Sequence, residues 1–340
     1  MFRTIKCSQI NLDDTSFLMS YPLESEKIMK SVGTIGVLQP IIVSGCECEG
    51  KYQIIAGFKR AYACRKIGVE LVNAYIYQVD QDNRLGAFAL ALHENAAHRT
   101  FNHVEKSLIL TKLVDQFHCD RDEVIQQYLP LLELAPNSKV LDIYLKVADF
   151  EEEIKRYLAI HDLPLTVLEL LANLSPADRA PVFTLISTLK LGVNSIKEAL
   201  TELGEIALRD SCPIHHVLAD RQIQEILKHE QYPVPQKAER IRRIIREKRY
   251  PELTTLEYEY HARLKQLQLP RGVQFKTERF FEDDDLSVVF RFQTPDQLKK
   301  FAEELLQLSQ KPELQSLLGL VQGSLALRGG DSSYSPPGRG

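Results

Sequence analysis

Along the first 80 positions the apolar residues come in short runs whose spacing alternates between the period of a strand and that of a helix. Residues 6–11 read as a short strand. Residues 24–32 have helical spacing, with Ile28 and Met29 turned inward and Gly33 near the end. The compact apolar run 36–43 stops at Ser44-Gly45, and 51–56 follows a glycine-bounded loop. Together they read as a hairpin, with Pro40 at a strand's beginning, where a missing N–H is tolerated. Residues 58–67 are expected to be helical and 70–79 a further strand. From Asn83 the texture turns helical: Leu85, Phe88, Ala89 and Leu92 share one face, as do Val104, Leu108, Leu110, Thr111 and Val114.

The run 120–123 is a helix start, its acids placed where the positive end of the dipole favours them. Helices are expected over 139–147, 150–161, 166–172, 176–189 and 195–207, with His215-His216 in a loop-like stretch beside Pro213. The joint Gln231-Tyr232-Pro233-Val234-Pro235 marks a boundary. Beyond it lie a basic helix over 237–250 and a second hairpin, 273–281 with 286–292, whose Val288, Phe290 and Phe292 share a face. A helix over 295–309 follows, and then a Gly/Ser/Pro-rich tail. The pattern divides the chain into residues 1–100, 101–230, 231–328 and a flexible tail, 329–340.

Composition narrows the class. At 340 residues with 44% hydrophobic and 26% charged positions, the chain is a folded protein with room for more than one core. No apolar run approaches the roughly 18–20 residues of a membrane span, and Met1-Phe2-Arg3-Thr4-Ile5-Lys6 lacks a signal pattern, so a cytoplasmic protein without membrane contact is expected. The six cysteines are scattered and read as reduced thiols; Cys46-Glu47-Cys48 has no second ligand pair at a zinc-site distance. The net charge of −4 argues against a constitutive nucleic-acid binder. Positive charge is nonetheless concentrated in 237–250, where seven bases face two acids.

Two clusters carry candidate chemistry. In Ile54-Ile55-Ala56-Gly57-Phe58-Lys59-Arg60 a strand delivers the chain to a glycine, and a helix with two bases in its first turn starts at once. Unpaired N–H groups at a helix start, aided by the dipole, favour an anion, and glycine permits close approach. In His93-Glu94-Asn95-Ala96-Ala97-His98-Arg99 a carboxylate beside an amide oxygen suits Mg²⁺, with an arginine near enough to meet phosphate. The plain alternatives are a packing turn and a solvated helix end.

These residues, with Gly36-Val37-Leu38-Gln39-Pro40-Ile41-Ile42-Val43 before them and Asn102-His103-Val104-Glu105 after, resemble the N-terminal domain of the ParB family of chromosome and plasmid partition proteins. The resemblance implies a domain that binds CTP with Mg²⁺, hydrolyses it slowly and closes a homodimeric clamp around DNA, with a ParA-type ATPase as partner. It assigns Gly57, Lys59 and Arg60 to the phosphates and sets Gln39 near the base or ribose. Asn95 and Arg99 join the nucleotide site, and Glu94 supports catalysis and, with Asn95, the metal. Phe58, Lys59 and Tyr62 depart from the family's phosphate motif, and His98 stands where an arginine is usual. Sulfiredoxin, of the same superfold, needs a cysteine beside the glycine, and Phe58 and Lys59 occupy that place.

Farther along, residues 122–147 fall where ParB proteins have a helix-turn-helix, here with an apolar turn lacking the usual glycine. Ser138 and Lys139 on its second helix, and Arg240 and Arg243 on the basic helix, are the candidate DNA contacts. The resemblance offers the C-terminal hairpin and helix as a dimer interface. The expected architecture is therefore mixed α+β: a ParB/sulfiredoxin-like α/β N-terminal domain, an all-α middle domain with a degenerate helix-turn-helix, and a small α+β C-terminal domain. The expected function is a nucleotide-switched DNA-partition factor. The alternatives are a nucleotide-dependent kinase of a small substrate and an adaptor that has lost nucleotide and DNA.

Overall fold

The computed structural model describes residues 1–45, 51–79, 83–276 and 285–328. Cys46 and Cys48, residues 277–281 of the second hairpin and the tail from Gly329 lie outside the described residues. The chain is mixed α and β and divides into two compact units, Met1–Ala238 and the remainder from Glu239.

The first unit opens on a five-stranded sheet built from β1 (Phe2–Lys6), β2 (Ile10–Asn11), β3 (Ile41–Ser44), β4 (Tyr52–Ala56) and β5 (Leu71–Ile76). Their order is β1-β5-β3-β4-β2; β1/β5 and β3/β4 pair antiparallel, β5/β3 and β4/β2 parallel. Ile41, Val43, Tyr52 and Ile54 are fully buried and set the core of this sheet. The expected 36–56 hairpin is present as β3 and β4. Its first strand begins only at Ile41, because Pro40 has no N–H to give to the ladder.

Two boundaries differ from the sequence pattern. Residues 6–11 are not one strand: Cys7–Gln9 form a 3₁₀ turn between β1 and β2, and the longer pairing is made earlier, by Phe2–Lys6 against β5. Helix α1 (Glu26–Ile35) runs past Gly33 and stops at Gly36, whose φ of 75° and ψ of −170° form a backbone that only glycine adopts readily. Helix α2 (Phe58–Ile67) has the expected bounds, and α1 packs against it.

The helical part starts with α3 (Arg84–His98) and α4 (His103–Thr111), which continues as a π turn over Lys112–Gln116. Next come α5 (Arg121–Glu123), a π turn over Val124–Tyr128 and α6 (Leu129–Leu131) in one unbroken stretch, capped by the Asp120 carboxylate. Glu133 then takes a positive φ of 58°, so the turn forms without the glycine usual there. Helices α7 (Ser138–Val147), α8 (Glu152–Leu158), α9 (Leu165–Ala172), α10 (Pro176–Leu189) and α11 (Val193–Arg209) match the expected ones within a few residues at their ends. The His215-His216 stretch is not a loop. It forms the short helix α12 (Ile214–Leu218), held to the start of α10 by His215, whose main-chain N–H donates to Asp178 Oδ1 while its Nδ1 lies at the same 2.8 Å. Helix α13 (Arg221–Lys228) follows.

Helix α14 (Val234–Arg249) carries the basic run and buries Ile241, Ile244 and Ile245. In the second unit α15 (Pro251–Leu267), the hairpin β6 (Val273–Lys276) with β7 (Ser287–Phe290), α16 (Pro295–Ser309) and α17 (Pro312–Arg328) surround a core of Leu253, Tyr260, Leu267, Leu308, Leu317 and Val321. Helices α13, α15 and α17 were not legible in the pattern.

Candidate functional site

The sharp turn from β4 into α2 is made by Gly57, at φ 97° and ψ 24° in the left-handed region. A Cβ there would stand 2.8 Å from Cγ2 of the fully buried Ile41, so only glycine lets strand, turn and helix close this tightly. The turn aims the first N–H groups of α2 into a cleft of about 430 Å³. Its opposite wall comes from the last turns of α3, and its lip from α1 and residues 36–39. Gln39, Gly57, Lys59, Arg60, Glu94, Asn95 and Arg99, widely separated in sequence, all line it.

Arg60 reaches back across the cleft floor, its Nη1 donating to the main-chain carbonyls of Gln39 at 2.5 Å and Pro40 at 2.8 Å, which fixes the lip. Burial pulls this guanidinium below its ordinary pKa, while nearby Glu94 pulls it back up. The side chain of Gln39 donates to Glu94 Oε1 at 3.0 Å, bridging lip and opposite wall. Asn95 donates through Nδ2 to Ala91 O at 2.8 Å and accepts Arg99 Nε at 3.2 Å through Oδ1. Its amide thus orients Arg99. His98 also lines the cleft, on the final turn of α3.

Sequence reasoning missed the contribution of the segment before α1. Phe17, Met19 and Ser20 line the cleft, and Ser20 Oγ accepts Arg99 Nη2 at 3.3 Å. It also missed the depth of Glu105, a buried carboxylate that pairs with both Arg99 and Lys59. The signal in the sequence was the Asn102-x-x-Glu105 capping box, which the structure contains: Asn102 Oδ1 accepts Glu105 N and Glu105 accepts Asn102 N.

The candidate DNA contacts lie elsewhere. Ser138 and Lys139 occupy the first turn of α7, and Lys139 Nζ is 2.7 Å from Glu169 on α9. Lys146, on the last turn of the same helix, donates to Asn173 at 3.1 Å, and Asp142 is paired with Arg121. Arg240 and Arg243 belong to α14, where Arg243 stands 3.7 Å from Glu247. Among the described residues there is no cluster of three His, Cys, Asp or Glu that could hold a metal by itself, and no helix long and apolar enough to cross a membrane.

Residues 3–96, which hold most of the cleft, match the family model of the ParB N-terminal domain. Most of the cleft thus lies in a stretch similar to ParB N-terminal domains. Relatives extend the similarity. "Probable chromosome-partitioning protein ParB" of Vibrio cholerae is 24% identical over 205 residues, 60% of this chain and 65% of the relative. The Pseudomonas putida protein of the same name is 30% identical over 103 residues, 30% of this chain and 34% of its own. A nucleoid occlusion protein of a Geobacillus species is 25% identical over 206 residues, 52% and 71% of the two chains. The chain thus matches less than two thirds of the length of the two ParB relatives. Two solved structures of truncated Caulobacter crescentus ParB also match. One, with CTP-gamma-S, covers 52% of this chain and 94% of its own at 19% identity and a TM-score of 0.24. The other, with the centromeric parS site, covers 58% and 98% at 18% identity and a TM-score of 0.35.

Proposed function

We propose that the cleft binds a nucleoside triphosphate, CTP, together with Mg²⁺, and that occupancy switches a homodimeric DNA-partition clamp that works with a ParA-type ATPase. The observation that carries this reading is convergence. An α2 N-terminus opened by Gly57, three further cations (Lys59, Arg60, Arg99) and one carboxylate (Glu94) meet in a single cleft, most of it in the stretch similar to ParB N-terminal domains. The apolar lip of Ile28, Val32, Val37 and Leu38 suits a base, and Gln39 lies beside it. Glu94 fits Mg²⁺, which takes one or two carboxylates and completes its shell with phosphate oxygens and water. Asn95 Oδ1 accepts Arg99 Nε and keeps a second lone pair for the ion. Bound there, the ion would draw charge from the phosphates. Glu94, tied to Gln39, would orient the water of a slow hydrolysis.

Calorimetry of the full chain with each of the four NTPs, with and without Mg²⁺, tests the reading. Binding of CTP in preference to the others, lost when Mg²⁺ is withheld, is expected; heat from none of them would end it.

For DNA, Lys139 of α7 is paired at the surface with Glu169 and Lys146 donates to the Asn173 amide, whereas residues 237–250 of the basic run carry seven bases against two acids. This favours a phosphate-backbone contact from α14, through Arg240 and Arg243, over base reading by Ser138 and Lys139. Gel retardation should accordingly be independent of DNA sequence; Arg240→Ala/Arg243→Ala should weaken it at about 50 mM salt, and between about 50 and about 200 mM salt the wild type should lose about tenfold more affinity than this variant. Retention of one sequence only, abolished by Ser138→Ala/Lys139→Ala, would return the contact to α7.

A further inference from the structure

Lys59 and Arg99 face the cleft, yet both are committed to one carboxylate behind its wall. The Glu105 side chain is 2% exposed. Arg99 Nη1 donates to both of its oxygens at 2.7 Å, and Lys59 Nζ lies 3.4 Å from Oε1. The same two oxygens accept main-chain N–H groups from opposite sides, Tyr21 at Oε1 and Asn102 at Oε2, each at 3.1 Å. Tyr21 is itself anchored, its hydroxyl donating to Glu152 of α8 at 2.7 Å and its carbonyl accepting Asn102 Nδ2 at 2.8 Å. The carboxylate is therefore pinned by the backbone, whereas the two cations end long side chains that stay 24% and 28% exposed on the cleft side.

We propose that Glu105 is an internal stand-in for the ligand's phosphate: a positioning residue that holds Lys59 and Arg99 at the wall and that an incoming phosphate displaces from them. The inference rests on reading the cleft as a phosphate site. Exchange happens on the cation side because the carboxylate cannot follow. Glu105 is N3 of the α4 capping box and is clamped by Tyr21, while Lys59 needs only a change of rotamer to leave it. The charge balance agrees. Lys27, Lys59, Arg60 and Arg99 against Glu94 and Glu105 leave an excess of two positive charges, which matches a triphosphate already partly neutralised by a divalent ion better than the bare polyanion.

Glu105→Gln decides the matter, since it keeps the size and one acceptor but removes the competing charge. Calorimetry of the full chain with CTP·Mg²⁺, and in parallel with inorganic tripolyphosphate and Mg²⁺, should show about tenfold tighter binding than wild type, alongside a lower Tm. A residue that only supports the fold would lower Tm and leave affinity equal or weaker, and either of those affinities overturns the inference. Should the variant not fold, the wild type answers. The Arg99 guanidinium ¹⁵N resonance, assigned by its loss in Arg99→Lys, is expected to shift on saturation with CTP·Mg²⁺; an unmoved resonance in a saturated protein overturns the inference. Wild type that binds neither CTP nor tripolyphosphate overturns the phosphate reading along with it. Binding in wild type with no gain in Glu105→Gln overturns the Glu105 role alone.

Discussion

Replacing Arg60 by alanine is expected to weaken binding of CTP·Mg²⁺ at least a hundredfold, about 2.7 kcal/mol. Two losses add in one side chain. The first is charge: Arg60 sits in the first turn of α2, beside the N–H groups that an anion would use, in surroundings dry enough to pull its own pKa down. The second is shape. Its Nη1 holds the carbonyls of Gln39 and Pro40, so without it the lip at residues 39–40 loses its hydrogen bonds to α2. Arg60→Lys separates the two, because it restores the charge but its side chain is one bond too short to bring a donor to where Nη1 meets both carbonyls. It should recover only about half of the lost free energy. Calorimetry of the three proteins measures this, and Arg60→Ala binding as tightly as wild type would remove the nucleotide reading altogether.

The turn that carries Arg60 was legible because its signals are local. Apolar β4, then Gly57, then a helix of known start need no knowledge of distant contacts, and α2 runs over Phe58–Ile67 as the spacing demands. The same holds for α10 and α16, each announced by proline at its first position behind a Ser or Thr cap. The end of α1 was misplaced because Gly33 and Gly36 are both fair stops in sequence, and only the chain's path decides which adopts the positive φ. Helix α17 escaped notice for another reason: its apolar residues are spread round the helix, so there is no stripe to read.

In the cleft, legibility divided by the range of the contact. The capping pair Asn102 and Glu105 could be read from a spacing of three. That the same carboxylate neutralises Lys59, 46 positions earlier, and receives the Tyr21 N–H, 84 positions earlier, is a property of the assembled fold alone. Phe17, Met19 and Ser20 are hidden for the same reason, as cleft residues on a segment with no regular structure. The helix α7 shows the reverse case. Its composition offered Ser138 and Lys139 as readers of DNA, and the fold puts Glu169 against Lys139. A count of cations in the sequence does not say which of them the fold sets against a carboxylate, as it does Lys139.

Gly57→Ala should lower the unfolding free energy of the first unit by about 3 kcal/mol and abolish binding with it. A non-glycine residue in the left-handed region costs roughly 1–2 kcal/mol, and forcing an atom into a packed core costs roughly 1–3 more. Both apply here: φ is 97°, and the new Cβ would lie 2.8 Å from Ile41 Cγ2 and 3.2 Å from Ile41 Cβ. Ile41 cannot retreat, since it is fully buried on β3 with β4 on one side and β5 on the other. Gly68, at the other end of α2, supplies the control. Its φ of 77° and ψ of 28° lie in the same left-handed region, and no atom lies within 4 Å of a Cβ placed there. Gly68→Ala should therefore cost only about 1–2 kcal/mol. Urea unfolding followed by circular dichroism compares the two. The excess at Gly57 measures how closely the backbone of the β4–α2 turn approaches β3, which is the approach that opens the α2 N-terminus to a ligand. Equal costs at the two glycines would show that conformation alone, and not this packing, requires glycine at position 57.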